Sequence, residues 1–267
     1  MTDVAVIILT RDERLHIGRC LERLAPLEPR QVFVVDCLST DGTQTIARNL
    51  GATVVEHEWP GLQSAQFNWA LDNLPIEADW VLRLDADEYL TTASIEWLRG
   101  NVAQVPDDVG ALEFTLERKF MGGEIRHGTN AIPMVRMFRR GRGRYADTLM
   151  DERIVFGGGK LAVPVVFYDD NLNTLEWWKE KHRGYAKREA RQAVDGTFQD
   201  ARKAKYYSLP PYFRAVTYFS VRYFLKLGFL DGIAGWRWHF WQGLWYRWLV
   251  DIEIGKLKRQ HTKSSHS

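Results

Sequence analysis

Residues 80–90 read WVLRLDADEYL, and this stretch decides how the first hundred residues are interpreted. A mainly apolar run of this length is typical of a strand buried on both faces of a parallel sheet. The run ends at Asp85, Asp87 and Glu88, so acidic side chains follow the strand directly. In open α/β sheets ligands bind beyond the carboxyl ends of the strands, so these acids are candidates for a ligand site.

The segments around this stretch alternate between strand-like and helix-like patterns. Apolar runs predict strands at 4–9, 31–35 and 52–55, and apolar spacing predicts helices at 14–24, 43–50, 64–74 and 94–101. This alternation predicts a doubly wound, mostly parallel α/β sheet. After residue 110 the alternation stops. There the patterns predict strands at 111–118, 133–139, 153–156 and 163–168, a loop at 119–130, and helices at 175–194, 210–227 and 232–254.

Charge is distributed unevenly along the 267 residues. Residues 1–100 carry 16 acids and 8 bases, a net charge of −8, whereas residues 101–267 carry 18 acids and 28 bases, a net charge of +10. The first part suits a cation, and the second suits anions such as a diphosphate or a lipid surface. No basic motif is interleaved with a groove-reading element, so nucleic acid is not an expected partner. The two cysteines, Cys20 and Cys37, exclude a disulfide framework and are expected to be reduced thiols in the cytosol.

The D-x-D pair formed by Asp85 and Asp87 predicts a divalent metal site. Carboxylates two residues apart, just past the end of a strand, can share one ion as the chain turns. Oxygen ligands of this kind suit Mg²⁺ or Mn²⁺, which also bind phosphate oxygens and water. A solvated acidic turn is the alternative interpretation.

Two further polar loops follow predicted strands. Thr10-Arg11-Asp12-Glu13 follows the first strand, and residues 36–43, DCLSTDGT, follow the second. Asp41 could accept hydrogen bonds from a base or a ribose, although a loop that caps the next helix is the alternative. Neither G-x-G-x-x-G nor G-x-x-x-x-G-K-[ST] occurs, which excludes a dinucleotide fingerprint and a P-loop.

Four motifs together carry a resemblance to a known family. LTRDE at 9–13, VVDCLSTDGT at 34–43, LQSAQFNWAL at 62–71 and WVLRLDADEYL at 80–90 resemble, in order and spacing, the inverting family 2 glycosyltransferases of the GT-A fold. Two later stretches, at 132–158 and 226–235, are similar to a bacterial branch that includes lipopolysaccharide-core β-glucosyltransferases.

The resemblance implies a nucleotide-sugar donor, with a UDP-hexose expected, and Mg²⁺ or Mn²⁺ as cofactor. It implies roles for individual residues as well. Thr10, Arg11 and Glu13 match the loop that lines the nucleotide, and Asp41 matches the acid that contacts uracil. Gln66 and Asn68 match the segment near the base and the diphosphate. Asp85 matches the residue on the ribose and metal side, and Asp87 matches the principal metal ligand.

Inverting transfer also requires a carboxylate that takes the proton of the attacking hydroxyl. Glu124, Asp147, Asp151 and Glu152 are the candidates on the acceptor side. The resemblance favours Glu152, with Asp151 next, because the branch usually carries His-Glu at these two positions. Arg136 and Arg139 are expected to bind the donor diphosphate or a pyrophosphate acceptor, since guanidinium groups suit phosphate oxygens.

The chain is expected to divide into a catalytic domain at 1–170, a helical extension at 171–255 and a polar tail at 256–267. Within the catalytic domain, residues 1–100 form the nucleotide-binding half and residues 101–170 the acceptor-side half. Sixteen of the 34 aromatic residues fall between Tyr206 and Trp248, interleaved with bases. No run of 18 uncharged apolar residues occurs there, so these helices are predicted to lie in a membrane interface. The alternative is a helical hairpin that packs on the sheet or on a second copy in a homo-oligomer.

These features together predict a hexosyltransferase in the cytoplasm, at the inner face of the cytoplasmic membrane. Its expected acceptor is a cell-envelope or exopolysaccharide glycan, which a lipid could carry. Two other classes remain open at this stage. One is a nucleotidyltransferase that makes sugar nucleotides, and the other is a non-catalytic membrane-docking subunit with a degenerate sheet.

Overall fold

The computed structural model describes residues 1–129, 131–146, 153–197 and 201–264. The chain forms two compact units. The first contains Met1–Glu117 and Ala131–Leu172, and the second contains Arg118–Asn130 and Asn173–Ser267.

Within the described residues, nine strands form one mixed sheet. Its main order is β3-β2-β1-β4-β8-β6-β11-β5, and β7 pairs with β6. The strands are β1 Thr2–Thr10, β2 Pro29–Asp36, β3 Thr53–Glu56, β4 Trp80–Asp85, β5 Glu88–Leu90, β6 Val109–Phe120, β7 Gly123–Ile125, β8 Ile132–Arg139 and β11 Gly159–Asp170. Strands β1 to β4 pair in parallel, and β8 joins antiparallel to both β4 and β6. A separate antiparallel pair consists of β9 Gly143–Tyr145 and β10 Ile154–Phe156.

Helices cover both faces of the parallel strands. They are α1 Ile17–Leu24, α2 Thr43–Asn49, α3 Gln63–Asn73 and α4 Thr92–Asn101. Alternate residues of β1 enter different cores, because successive side chains of a strand point to opposite faces. Val4, Val6 and Ile8 pack with residues of α1, α2 and α4. Ala5, Ile7 and Leu9 pack with Phe67 and other residues of α3. The continuous apolar run of β1 is thus explained by burial on both sides.

The second unit is mainly helical. It contains α5 Leu175–Asp195, α6 Ala201–Tyr207, α7 Phe213–Ser220, α8 Gly232–Trp238 and α9 Tyr246–Ser264. Its cores hold alanines of α5 against Val250 and Ile254 of α9, and Phe120 against the rings of Trp178 and Trp238. In the portion of the chain that the structure describes, each helix is too short or too polar to cross a bilayer.

The α/β fold and the aromatic C-terminal helices predicted from the sequence are confirmed. Several details differ, and β5, β9 and α6 are elements that were not predicted from the sequence. The 119–130 segment contains β7, the aromatic helices are interrupted by π-helical turns at Val221–Leu225 and His239–Trp245, and the last helix continues to Ser264. The prediction missed β7 because its three residues follow a glycine-rich turn that has no alternating pattern.

Candidate active site

Three strands bring polar residues together at one edge of the sheet. In the parallel register Thr10 of β1 is paired with Asp36 of β2, and Leu9 is paired with Asp85 of β4. The carboxyl ends of these strands therefore meet, as the sequence predicted for a ligand site.

Asp36 organises the loops that leave this edge. Its carboxylate is fully buried and accepts hydrogen bonds from the Thr10 hydroxyl (2.7 Å), the Ser39 amide N–H (2.8 Å), the Ser39 hydroxyl (2.6 Å) and the Gln44 side chain (2.7 Å). The four donors satisfy the hydrogen-bonding capacity of this buried carboxylate. The side chain of Thr10, predicted to line the nucleotide, is thus directed to Asp36.

The loops after β1 and β2 are joined by hydrogen bonds between them. The N–H of Asp12 donates to the Ser39 hydroxyl (2.7 Å), and the N–H of Thr40 donates to the Asp12 carboxylate (2.9 Å). Asp12 adopts a left-handed conformation, with a φ of 54°. This conformation is costly for a residue other than glycine or asparagine, and the two bonds offset that cost.

Asp41 makes a second connection between the same loops. Its Oδ2 accepts the N–H of Arg14 (2.9 Å), and its Oδ1 accepts the N–H (3.0 Å) and the hydroxyl of Thr43. Partial burial opposes its ionisation, but the bonds from Thr43 and Arg14 outweigh burial and lower the pKa of Asp41. Asp41 thus joins Arg14 of the first loop to Thr43 of the second. The neighbouring Glu13 N–H donates to Thr43 Oγ1 (2.8 Å), and Arg11 is exposed on this loop.

Asp85 is held by two arginines. One oxygen lies 3.1 Å from Nη2 of Arg83, and the other lies 4.0 Å from Nη2 of Arg136. Arg136 is buried, contacts the ring of Phe167 and donates to Glu88. Arg136 therefore lies on the buried side of the D-x-D turn, where its guanidinium is close to the carboxylates of Asp85 and Glu88.

Glu88 is the most buried acid of the turn, and it accepts the N–H of Asp85 (2.9 Å) in addition to the bond from Arg136. Burial raises the pKa of Glu88 to about 8, against the lowering effect of Arg136, and the charge of Asp85 adds to the increase. Glu88 is therefore a structural member of the turn, and Asp85 and Asp87 are both more accessible than Glu88.

Asp87 is fixed from the end of β11. Asn171 donates from Nδ2 to Asp87 Oδ2 (3.0 Å), and the N–H of Asp170 donates to the Asp87 carbonyl (3.1 Å). Arg19 also donates to that carbonyl (3.3 Å) and forms an ion pair with Asp170 (2.7 Å). Asp170 and Asn171 thus position both the backbone and the side chain of Asp87, although Asn171 lies 84 residues later in the chain.

His16 connects this segment to the nucleotide loop. The N–H of Leu172 donates to His16 Nε2 (2.9 Å), so that nitrogen carries no proton. The proton is then on Nδ1, which donates to Glu13 Oε2 (2.6 Å). A continuous set of contacts therefore runs from Glu13 through His16 to the residue beside Asn171.

The donor set at the turn fits a hard divalent cation. Among the residues that the structure describes, no group of three or more His, Cys, Asp or Glu side chains is arranged to hold a metal. Asp85 and Asp87 offer two carboxylates, and Asp85 is already paired with Arg83. Mg²⁺ is commonly bound by one or two carboxylates with the remaining ligands supplied by phosphate and water. Asp87 is the better placed of the two to bind a cation, because Asp85 is paired with Arg83.

The other predicted residues lie in different surroundings. Gln66 is buried, with its amide near the Val35 carbonyl (3.5 Å), and Asn68 exchanges two hydrogen bonds with the backbone of Tyr145 (2.9 and 3.0 Å). Both amides face protein backbone. Arg139 donates to the carbonyls of Val105 and Val109 and is paired with Trp80, at the opposite end of β4 from Asp85. Asp147, Asp151 and Glu152 lie outside the described residues, and Glu124 pairs with Arg126 in the second unit.

Sequence reasoning missed Asp36, His16 and Asn171. The spacing of Glu13 and His16, three residues apart at the start of α1, was the one available signal that the two side chains could meet. Asn171 could not be found, because only the antiparallel pairing of β11 with β5 brings it to the turn.

The model of the family "Glycosyl transferase family 2" matches residues 5–151. This match covers more than half of the chain and includes the loops after β1, β2 and β4, whereas Asn171 and the end of β11 lie beyond it. The chain belongs to glycosyl transferase family 2.

Curated relatives resemble the same region. An uncharacterized glycosyltransferase of Rickettsia felis is 36% identical over 91 residues, which are 34% of this chain and 31% of the relative. A TPR repeat-containing protein of Synechococcus elongatus is 33% identical over 119 residues, which are 45% of this chain and 28% of the relative. The chain thus spans less than a third of the length of these relatives.

Solved structures resemble the chain more distantly. Glucosyl-3-phosphoglycerate synthase from Mycobacterium tuberculosis, in complex with Mn²⁺, uridine-diphosphate and glucosyl-3-phosphoglycerate, has a TM-score of 0.36 and 20% identity, over 43% of this chain and 44% of that chain. A mycobacterial protein has a TM-score of 0.42 and 17% identity, over 66% of this chain and 69% of that chain. At these TM-scores and sequence identities, the ligands of those structures are not assigned to this protein.

Proposed function

We propose that this protein transfers a hexose from a UDP-linked donor to a hydroxyl group of a cell-envelope or exopolysaccharide glycan, with inversion at the anomeric carbon. The acceptor class follows the resemblance to the lipopolysaccharide-core β-glucosyltransferase branch and includes lipid-linked glycans. The observation that carries the proposal is the position of Asp85 and Asp87 at the sheet edge, next to the joined loops of Glu13 and Asp41, in a chain that belongs to family 2.

The joined loops would hold the nucleotide. The carboxylate of Asp41 suits the N–H of a pyrimidine base, and its lowered pKa keeps the carboxylate charged. Exposed Arg11 lies on the same loop, and its positive charge suits a phosphate. Asp12 and Ser39 keep the two loops together, so this surface is formed before the donor binds.

Asp87, with Asp85 beside it, would hold Mg²⁺ or Mn²⁺, and such an ion neutralises charge on a departing diphosphate. Asn171 and Arg19 fix the position of Asp87. In the transfer step the acceptor oxygen forms a bond to the anomeric carbon while the bond from that carbon to the diphosphate oxygen breaks. The hydroxyl proton passes to a carboxylate, for which we propose Glu152, with Asp151 as the alternative.

Ligand-dependent thermal stability tests the donor. A ligand at 100 times its dissociation constant stabilises the native state by about 2.7 kcal/mol, so its binding raises the melting temperature. We expect a UDP-hexose to raise that temperature only with Mn²⁺ or Mg²⁺ present, and GDP-, CMP- and dTDP-sugars to have smaller effects. Stabilisation by nucleoside triphosphate with sugar phosphate, together with released pyrophosphate, would favour a nucleotidyltransferase instead.

Variants test the assigned roles. Asp87→Ala is expected to lose turnover and metal-linked stabilisation, whereas Asp107→Ala, at a fully exposed carboxylate of the same unit, keeps both. Glu152→Gln is expected to retain donor stabilisation and lose transfer, measured as UDP released in the presence of a glycan acceptor. Near-normal transfer by Glu152→Gln would move the base to Asp151 or another carboxylate.

A further inference from the structure

The second unit exposes an unusual amount of apolar surface. The apolar patch comprises Phe224, Leu225, Leu227, Leu230, Ile233 and Trp236. Leu225 and Ile233 are 77% and 72% exposed, and Phe224 and Leu230 are 56% and 55% exposed. Single exposed apolar side chains are common on protein surfaces, but a contiguous group of large ones marks an interaction site.

The members of the patch lie in one neighbourhood. The ring of Tyr223 contacts the rings of Phe224 (5.1 Å between centroids), Phe229 (6.3 Å) and Trp236 (5.6 Å). Ile233 and Trp236 are three residues apart on α8 and therefore share a helix face. The segments Val221–Leu225, Gly228–Asp231 and Gly232–Trp238 also contact one another, so the exposed side chains that they carry lie in one region.

The backbone beneath the patch is firmly held. The Lys226 carbonyl accepts the N–H of Gly128 (2.9 Å), and Arg222 Nε donates to the Gly128 carbonyl (2.8 Å). The buried carboxylate of Asp231 accepts the N–H of Arg126 (2.9 Å). The close packing leaves no room for a Cβ at Gly228, which would lie 2.3 Å from the His239 ring. The apolar side chains are therefore presented outward by a fixed framework.

The charge around the patch is positive. Among the bases between residues 203 and 249, Arg214 and Arg247 are largely buried and paired with Asp251 and Glu189, so the accessible charge beside the patch comes from other bases. The side chain of Asp231 is only 4% exposed and is paired with His127. Lys226 lies between Leu225 and Leu227, and Arg237 follows Trp236, and both bases are exposed. The surface therefore combines large apolar side chains with accessible positive charge.

We propose that the apolar patch and its flanking bases dock on the surface of an anionic lipid bilayer. Apolar side chains would enter the boundary between headgroups and acyl chains, while Lys226 and Arg237 would contact anionic headgroups. The described helices are too short or too polar to span a bilayer, so the contact would be interfacial. The positive charge favours this occupant over a second copy of the chain, whose own patch would carry the same charge.

Vesicle flotation tests the proposal with the purified protein alone, without donor or acceptor. We expect binding to vesicles with 30% phosphatidylglycerol, weak binding to phosphatidylcholine vesicles, and a decrease in binding as salt rises. Leu225→Glu and Ile233→Glu are each expected to weaken the partition by about tenfold or more, because a charge replaces an inserted apolar group. Val155→Glu, at a 52% exposed apolar position of the first unit, is the control and is expected to leave binding unchanged.

Three outcomes would overturn the proposal. The first is equal binding to neutral and anionic vesicles. The second is a loss of vesicle binding in Val155→Glu as large as that in Leu225→Glu and Ile233→Glu. The third is no vesicle binding by a protein that light scattering shows to be a dimer. The last would assign the patch to a second copy. Circular dichroism melting of each variant separates loss of docking from loss of folding. Because donor stabilisation by a UDP-sugar is measured without lipid, failure of docking and failure of the proposed transfer are distinguishable.

Discussion

Replacement of Asn171 by alanine tests whether the end of β11 tunes the metal site. The amide of Asn171 donates to Asp87 Oδ2 at 3.0 Å in a partly buried environment. A hydrogen bond to a charged group contributes about 1.5–3 kcal/mol, and loss of a residue that orients a metal ligand typically weakens metal affinity about 10–100-fold. We therefore expect Asn171→Ala to raise the apparent Mn²⁺ dissociation constant, in the presence of UDP, by about 10–100-fold.

Isothermal titration of Mn²⁺ into the protein with saturating UDP measures this constant. Asn73→Ala is the matched control, because its Nδ2 donates to the Trp69 carbonyl (2.8 Å) at the end of α3, away from the turn. Binding of UDP without metal should be similar in both variants. An unchanged Mn²⁺ constant in Asn171→Ala, with the protein still folded, would refute the assignment of Asn171 as a positioning residue for Asp87.

Three further predictions concern stability, each measured by urea or thermal unfolding. Asp251→Ala should destabilise the protein by about 3–5 kcal/mol, because it leaves the buried guanidinium of Arg214 without its carboxylate; joint replacement of both by apolar residues should recover much of that loss. Burial and the charge of Arg222 lower the pKa of His239 to about 4. As pH falls, His239 is therefore protonated in the unfolded chain at a higher pH than in the native protein. Up to ~3 kcal/mol of the free energy of unfolding should be lost between pH 6.5 and 4, and His239→Gln should remove that part of the pH dependence. Phe67→Ala should cost about 3–5 kcal/mol, since the ring is fully buried; a loss below 1 kcal/mol would contradict the core packing described here.

The sheet edge could be predicted from sequence because its signals are local. Apolar runs such as 4–9 and 80–84 end directly at polar residues, and parallel pairing brings those ends together. The acids Asp85 and Asp87 were therefore expected at the edge before any pairing was known. The register of β1 with β2 and β4 places them there.

The two arginines of β8 share one role in the sequence-based prediction but have different surroundings in the structure. Arg136 and Arg139 are three residues apart on β8, and an odd spacing on a strand directs two side chains to opposite faces. Arg136 accordingly packs against Glu88, whereas Arg139 contacts the ring of Trp80. From the sequence, both arginines have the same predicted role, although the strand predicted at 133–139 already directs their side chains to opposite faces. Which face meets Glu88 depends on the long-range pairing of β8 with β4.

The contacts of His16 have a thermodynamic consequence. Its two nitrogens join Glu13, on the loop proposed to hold the nucleotide, to Leu172, which adjoins the partner of Asp87. If ordering of either end favours the bound arrangement of the other, nucleotide and cation bind with positive cooperativity. Linkage then requires reciprocity, so the factor by which the cation tightens nucleotide binding equals the factor by which the nucleotide tightens cation binding.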